Sequence, residues 1–274
     1  MQQLAATALG SLHLVYQGRV ASQEAHAAAA LEGRLSMSVP VAAASASALL
    51  SMSESRDGCQ VLAESATLMA TLTQALSGAA PVVIPCLATL ANLLRLDCGV
   101  KDALTAGIVP ALHRIISTSR RSSDALKLSL QALWNLSNSH EGKVAVVEEG
   151  LLRTLSKKVE AGTEEVKRLA AGCIMSLAIN KEGKIASDVC VVPLIDLALA
   201  NRGPHGEPGS LKDAILALKA AAEYPPTRKI IERHARSINK DPAHLISEIS
   251  TPMFDSEPWP ASLRYVNQFK AQIA

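Results

Sequence analysis

Residues 132–152 read Ala132-Leu-Trp-Asn-Leu-Ser-Asn-Ser-His-Glu-Gly142-Lys-Val-Ala-Val-Val-Glu-Glu-Gly150-Leu-Leu152. The first half matches Ala48-Leu-Leu-Ser-Met-Ser-Glu-Ser-Arg-Asp-Gly58 in its apolar positions, its small residues and its closing acidic-Gly pair. The same frame ends again at Gly18, Gly99 and Gly183, so the glycines stand 40, 41, 43 and 41 residues apart. A degenerate sixth copy runs through Ala217-Leu-Lys-Ala-Ala-Ala-Glu-Tyr224 to Pro226. A period near forty residues marks modules that cannot bury their apolar sides alone and must stack on their neighbours.

Each interval holds three helical pieces. After Gly142, residues 143–149 form a short first helix, and Gly150 breaks the chain before a second helix from Leu151 to about Val159. A third runs from about Glu164 to Ile179, with Leu169, Cys173, Ile174 and Leu177 at helical spacing. The same punctuation falls at Gly107 and, substituted, at Cys190. Pro110 and Pro193 fall in the first turn of second helices, and Pro40 and Pro81 in that of third helices, where a missing N–H costs little. Gly142 and Gly183 are expected to end helices in left-handed geometry.

Composition agrees with stacked helices. Apolar residues make up 49% of 274 residues but aromatics only 3%, so the core is built from Ala, Leu and other small or medium side chains. Net charge is +2, from 27 basic and 25 acidic residues, which gives no electrostatic reason for a nucleic-acid or membrane partner. Cys59, Cys86, Cys98, Cys173 and Cys190 lack metal-ligand spacing, and their odd number argues against a disulfide framework. A reducing, cytoplasmic setting follows, and the first residues lack the basic region of a secretory signal. Residues 65–94 carry no charge, but Gln74, Ser77, Gly78, Pro81 and Pro85 interrupt them. Two short buried helices explain this stretch better than a membrane span.

The frames Glu141-Gly142-Lys143-Val-Ala-Val-Val-Glu-Glu-Gly-Leu-Leu and Gly107-Ile-Val-Pro-Ala-Leu resemble armadillo repeats over residues 1–236. The resemblance implies an all-α, right-handed armadillo solenoid of about five three-helix repeats plus partial terminal ones, followed by a Pro/aromatic tail, 237–274. Residues 178–187 (Ala-Ile-Asn-Lys-Glu-Gly-Lys-Ile-Ala-Ser) and 222–231 (Ala-Glu-Tyr-Pro-Pro-Thr-Arg-Lys-Ile-Ile) resemble the armadillo-type proteins of ciliary radial spokes. That likeness implies a structural subunit of a cytoskeletal assembly, the ciliary or flagellar axoneme, in a radial spoke or the central apparatus. The alternative is a soluble peptide-binding adaptor that uses the third-helix groove in transport or signalling.

Armadillo proteins that bind extended peptides commonly use a Trp and an Asn four residues later on the third helix. Trp134 and Asn138 have that spacing, which predicts one shared helix face. The equivalent pairs are Leu50/Glu54, Ala91/Arg95 and Met175/Ile179, so no regular ladder exists. Trp134, Asn138, Arg95 and Glu54 are therefore candidate partner contacts, set against a structural Trp and a local hydrogen bond. In the tail, Phe254, Trp259, Tyr265 and Phe269 are four of the seven aromatics, and Leu263, Val266, Phe269 and Ile273 could form the stripe of a short closing helix. The tail either caps its own solenoid or docks on a neighbour.

No catalytic apparatus is legible, and no cofactor or small-molecule substrate is expected. Glu141-Gly142-Lys143 and Glu182-Gly183-Lys184 lack the upstream glycine and the following Ser/Thr of a phosphate loop. Arg120-Arg121-Ser122-Ser123-Asp124 resembles a basophilic kinase site at Ser123, but the favoured reading is an exposed loop that ends in a helix cap. Asn135-Leu-Ser137 fits a glycosylation sequon, yet it falls inside a helix and is read as inert. The Gly/Pro stretch 201–210 is a repeat insertion. Residues 1–94 hold only eight charged side chains of 52, where an even spread would place about 18, which predicts surface that partners cover. The chain also begins within what reads as a third helix, with no polar capping module ahead of it.

Overall fold

The computed structural model describes residues 2–12, 27–203, 205–242 and 244–245, and every described regular element is helical. The contacts divide the chain into two compact units, Met1–Ala145 and Val146–Ala274. In the first, α1 (Gln2–Leu12) is followed by α2 (Ala27–Glu32) and α3 (Val39–Ser53). Then come α4 (Arg56–Ala63), α5 (Leu68–Ala75) and α6 (Ala80–Leu93), and after them α7 (Asp97–Thr105), α8 (Ile108–Thr118) and α9 (Asp124–Leu136). Helix α10 (His140–Glu148) leads into the second unit. There α11 (Leu151–Ala161), α12 (Glu164–Leu177), α13 (Lys181–Ala186), a 3₁₀ turn (Ser187–Cys190), α14 (Val191–Ala200), α15 (Pro208–Ala222) and α16 (Pro225–Ser237) follow in order. Residues 65–94 form α5 and α6 with a turn between them, and no described helix is long and apolar enough to cross a membrane.

Third helices stack on one another. In the first unit α1 lies on α3, α3 on α6 and α6 on α9; in the second, α12 lies on α15. Small side chains make this possible. Ala42, Ser45, Ala46 and Ala48 of α3 are buried, and a Cβ on Gly10 of α1 would sit only 3.5 Å from the Ala48 Cα. The second helices cover the other side, with α5 against α6, α8 against α9, and α11 and α14 against α12 and α15. Their Leu and Ile side chains, such as Leu72, Leu112, Ile116, Leu155 and Leu194, are fully buried. Pro85 sits inside α6 and does not interrupt it; the carbonyl it leaves without an N–H partner belongs to exposed Pro81, near the helix start.

The frame glycines act differently from the expectation. Gly107 and Gly150 are left-handed, with φ of 74° and 75°, and each separates a first from a second helix. Gly142 and Gly183 do not end helices; with Gly58 and Gly99 they lie inside the first turn or two of first helices. Their common constraint is close approach. A Cβ would fall 1.9 Å from the Met52 carbonyl oxygen at Gly58, 2.7 Å from that of Leu93 at Gly99, 2.0 Å from that of Leu136 at Gly142 and 1.8 Å from that of Leu177 at Gly183. Each oxygen belongs to the residue six positions earlier, at the end of the preceding third helix. The side chains of Ser55, Ser139 and Asn180 accept the Gly58, Gly142 and Gly183 N–H bonds at 3.1, 3.0 and 2.9 Å. The frame glycine therefore marks the point where one module turns tightly into the next. At Cys190 the left-handed residue is replaced by the 3₁₀ turn.

Candidate functional site

Within each unit the stacked third helices bring their exposed positions side by side from one repeat to the next. Their residue chemistry in the first unit is unusual. Helices α1, α3 and α6 contain no Asp, Glu, Lys or Arg at all, and α9 contains only Asp124 and Lys127. In the second unit α12 carries Glu164, Glu165, Lys167 and Arg168, and α15 carries Lys212, Asp213 and Lys219. A solvated solenoid face is normally studded with charge, so the neutral run is the structural form of the depletion read in the sequence.

The sequence-based candidates fall at the edge of this face. Helix α9 ends at Leu136, and Asn138 lies in the turn that follows it, its N–H donating to the Asn135 carbonyl at 3.1 Å. Its carbonyl accepts the Lys143 ammonium at 3.0 Å. Glu54 and Arg95 hold the same register position, exposed at the ends of α3 and α6. Trp134 is half-buried on α9, as is Leu50 on α3, while Ala91 is buried. Phe254, Trp259, Tyr265 and Phe269, like Leu263, Val266 and Ile273, lie outside the described residues, as do Gly18 and residues 19–26.

The side chains that link neighbouring third helices are Asn92 and Asn135, seven residues before Gly99 and Gly142. The Asn135 amide donates to the Ala91 carbonyl at 2.7 Å, and its oxygen accepts the Gln131 amide at 3.2 Å. The Asn92 amide donates to the Ser53 hydroxyl at 3.0 Å, which in turn donates to the Leu50 carbonyl at 2.8 Å. Asn135 directly, and Asn92 through the Ser53 hydroxyl, thus serve carbonyls that the last turn of an α-helix leaves open. Each carboxamide has two N–H groups and two lone pairs, so donor and acceptor capacity remains on the half-exposed side. With Ser47, Ser51 and Ala88 they form a neutral strip of small and amide side chains. In the sequence they stand as an Asn at one fixed distance before successive frame glycines, and Asn135 lies three residues before Asn138.

Other polar clusters are committed to structure. Lys143 is only 8% exposed, its ammonium held by backbone carbonyls, and burial pushes its pKa down. A phosphate-gripping lysine would need a free ammonium. Ser123 caps α9 through the Leu126 N–H at 3.3 Å. In the 201–207 loop, a depression of about 320 Å³ is bordered by Glu164, His205 and Glu207. The loop holds itself there: Asn201 accepts the Glu207 N–H at 2.8 Å, and Glu207 accepts that of Ser210. Burial works against the charge on Glu207, but the hydrogen bonds of Ser210 and Gly209 and the Arg168 guanidinium hold its pKa below the usual value. Cys59, Cys86, Cys173 and Cys190 are buried free thiols whose pKa values burial raises, to about 12 for Cys86 and Cys190. Such thiols are poor nucleophiles. Among the described residues no three His, Cys, Asp or Glu side chains group as a metal site.

Solved structures similar to this chain include designed armadillo repeat proteins. A computationally designed armadillo repeat protein for modular peptide recognition is 22% identical, with a TM-score of 0.72 over 80% of this chain and 92% of its own. A designed armadillo repeat protein in complex with the peptide (KR)4 is 21% identical, with a TM-score of 0.71 over 80% of this chain and 92% of its own. The fold is an armadillo solenoid. An engineered protein extends the likeness to 93% of this chain and 61% of its own, at a TM-score of 0.78 and 22% identity. No profile of a known protein family matches the sequence, and no curated protein matches it. In armadillo terms α4, α7, α10, α13 and α16 are first helices, α2, α5, α8, α11 and α14 second helices, and α1, α3, α6, α9, α12 and α15 third helices.

Proposed function

We propose that the protein is a non-catalytic scaffold subunit that binds other proteins through its armadillo surfaces, within a ciliary axonemal complex, a radial spoke or the central apparatus. The observation that carries the binding role is the run of uncharged third helices α1, α3 and α6. Charge-free helix faces are favourable where another chain covers them and costly in water. Trp134, Asn138, Arg95 and Glu54 would edge that contact, and the tail aromatics Phe254, Trp259, Tyr265 and Phe269 would add a second. The axonemal setting is supported by the likeness of residues 178–187 and 222–231 to radial-spoke armadillo proteins. Permanent subunits bury more than ~2,000 Å² in total.

An epitope-tagged chain expressed in ciliated cells tests the reading. It should remain with the axoneme through detergent and high-salt extraction and bring a stoichiometric partner when it is finally released. A soluble monomer that retains nothing would overturn it. The adaptor reading draws on Asn92 and Asn135, whose amides repeat along the strip, and on the similar armadillo design solved with a peptide. That peptide, (KR)4, is strongly basic, and α3 and α6 offer no carboxylate to pair with it. An adaptor of this chain would therefore select neutral extended segments, and an isolated monomer with micromolar affinity for such a peptide would favour it.

A further inference from the structure

The sixth module departs from the others at its first helix. Helices α4, α10 and α13 each place a carboxylate in their first turn, Asp57, Glu141 and Glu182, and α7 opens on Asp97. Negative charge is favourable there, beside the open N–H groups of a helix start. Helix α16 has no acidic residue in that turn and carries Arg228 instead. Residues 225–240 hold Arg228, Lys229, Arg233, Arg236 and Lys240 against Glu232 alone, a net +4 in a chain of net +2, so all remaining residues together are net negative. On α16 the buried positions are Thr227, Ile231 and Ala235. Lys229, Arg233 and Arg236 project from the opposite side, at spacings of four and three that align them on one face, and all three are exposed. Like charges at those spacings repel one another and weaken the helix that carries them.

The carboxylates near α16 do not cancel this row. Asp188 accepts the buried Thr227 hydroxyl at 2.5 Å, and Asp196 of α14 stands 3.3 Å from the His234 Nε2, both on the packed side of the helix. Glu223, just before α16, pairs with Lys184. Glu232 lies at the flank, 4.0 Å from Arg236, whose side chain is still 74% exposed. The three cations rise ~6 Å and then ~4.5 Å along the helix axis, a row of ~10 Å. In an extended polypeptide alternate side chains stand ~7 Å apart on one side, so carboxylates at every second position meet two or three of these cations at once. The planar guanidinium groups of Arg233 and Arg236 suit carboxylates in particular. Other polyanions fit less well. Helix α16 carries no Phe, Tyr or Trp on which a base could stack, and its apolar Ile231 is buried, with nothing to give to a lipid surface.

We propose that the outer face of α16 is a docking site for an acidic, extended segment of a partner protein, whose alternate carboxylates pair with Lys229, Arg233 and Arg236. Charge complementarity selects that partner. The mutual repulsion of the three cations, unfavourable in the free chain, becomes attraction to it. The site belongs to a first helix and takes a charged ligand, so it is distinct from the neutral third helices and stands whatever covers them.

Fluorescence anisotropy of a labelled, end-blocked peptide of alternating glutamate and serine, titrated with the full chain, tests it. The peptide should bind at low salt and be released at ~1 M salt, where the Debye length is about 3 Å. The R233E/R236E variant changes only exposed side chains, and each reversal trades an attraction for a repulsion. It should weaken binding about tenfold with an unchanged helical signal, and R233Q/R236Q, which only removes charge, by roughly threefold. K101E/K157E makes an equal change in net charge at exposed lysines elsewhere and should bind nearly as wild type does. A single-stranded oligonucleotide and phosphatidylserine vesicles should both bind more weakly than the peptide. No binding of the peptide at low salt, equal losses in R233E/R236E and K101E/K157E, tighter binding of the oligonucleotide or the vesicles, or a wild-type dimer that R233E/R236E dissociates would each overturn the assignment.

Discussion

Two glycines of the second unit separate the two reasons a sequence keeps glycine. At Gly183 a Cβ would meet the Leu177 carbonyl oxygen at 1.8 Å and the Asn180 side-chain oxygen at 2.6 Å. The first of these is backbone, so no rotamer change relieves it, and α13 must move away from the end of α12 by more than 1 Å. Overpacking of this kind costs up to ~3 kcal/mol. Loss of the Asn180 cap adds ~1 kcal/mol, and the better helix propensity of alanine returns ~1 kcal/mol. Gly183→Ala should therefore destabilise its module by about 3 kcal/mol. Gly150 has open space around it and φ of 75°, so Gly150→Ala meets only the left-handed penalty of ~1–2 kcal/mol, partly offset through the unfolded chain. The local reporter is Cys190, buried in the 3₁₀ turn that follows α13 and inert unless the module opens. With a thiol reagent in excess, the opening free energy sets the labelling rate. About 3 kcal/mol corresponds to a roughly 150-fold faster reaction for Gly183→Ala, against about fivefold for Gly150→Ala. Asparagine tolerates left-handed geometry, so Gly150→Asn should be milder still, while Gly183→Asn should be at least as harmful as alanine. Equal rates for Gly183→Ala and Gly150→Ala, or a harmless Gly183→Asn, would refute the close-approach argument.

Two further outcomes are expected. Thr227 takes the frame-glycine place in the sixth copy, fully buried, and its hydroxyl donates to the Asp188 carboxylate at 2.5 Å; Thr227→Val should lower urea-unfolding stability by ~2 kcal/mol and Thr227→Ser by clearly less, because a bond to a charged acceptor is lost only in the first. Burial raises the Cys86 thiol to about 12 from 9.0, so the native state holds that proton where the unfolded state releases it. The contribution of Cys86 is intact below pH 9 and disappears as pH climbs from there toward 12, so the unfolding midpoint should drop over that window, and a midpoint as pH-independent in wild type as in Cys86→Ala would contradict this.

The glycine interval was enough to read the architecture, because one residue type recurred at the one place where each module crosses tightly to the next. What the sequence could not reveal was why glycine was needed. Left-handed backbone and a missing Cβ leave the same letter, and only the carbonyl oxygens of Met52, Leu93, Leu136 and Leu177, 1.8–2.7 Å from the absent atom, distinguish them. The links between neighbouring third helices were hidden in the sequence for a related reason. A Trp with an Asn four residues on is a conspicuous pattern, yet it depends on where the helix stops, and α9 stops at Leu136. Asn92 and Asn135 carry no conspicuous neighbour, but they share a fixed distance to the frame glycine and reach the ends of α3 and α6. In a repeat protein, distance from the module boundary is thus a better guide to surface position than local spacing, since the boundary is fixed by backbone contact while a helix end shifts by a residue or two. The charge count follows the same logic. Eight charges in residues 1–94 are only a composition until the helices are placed; then α1, α3 and α6 prove to be wholly uncharged, and among the described residues Glu32 closes α2, Arg56 and Asp57 open α4, and Arg34, Glu54 and Glu64 lie just past helix ends. Neutrality that recurs on the three successive third helices α1, α3 and α6, and that the second helix α5 shares, is what contact with another polypeptide along that part of the chain would favour.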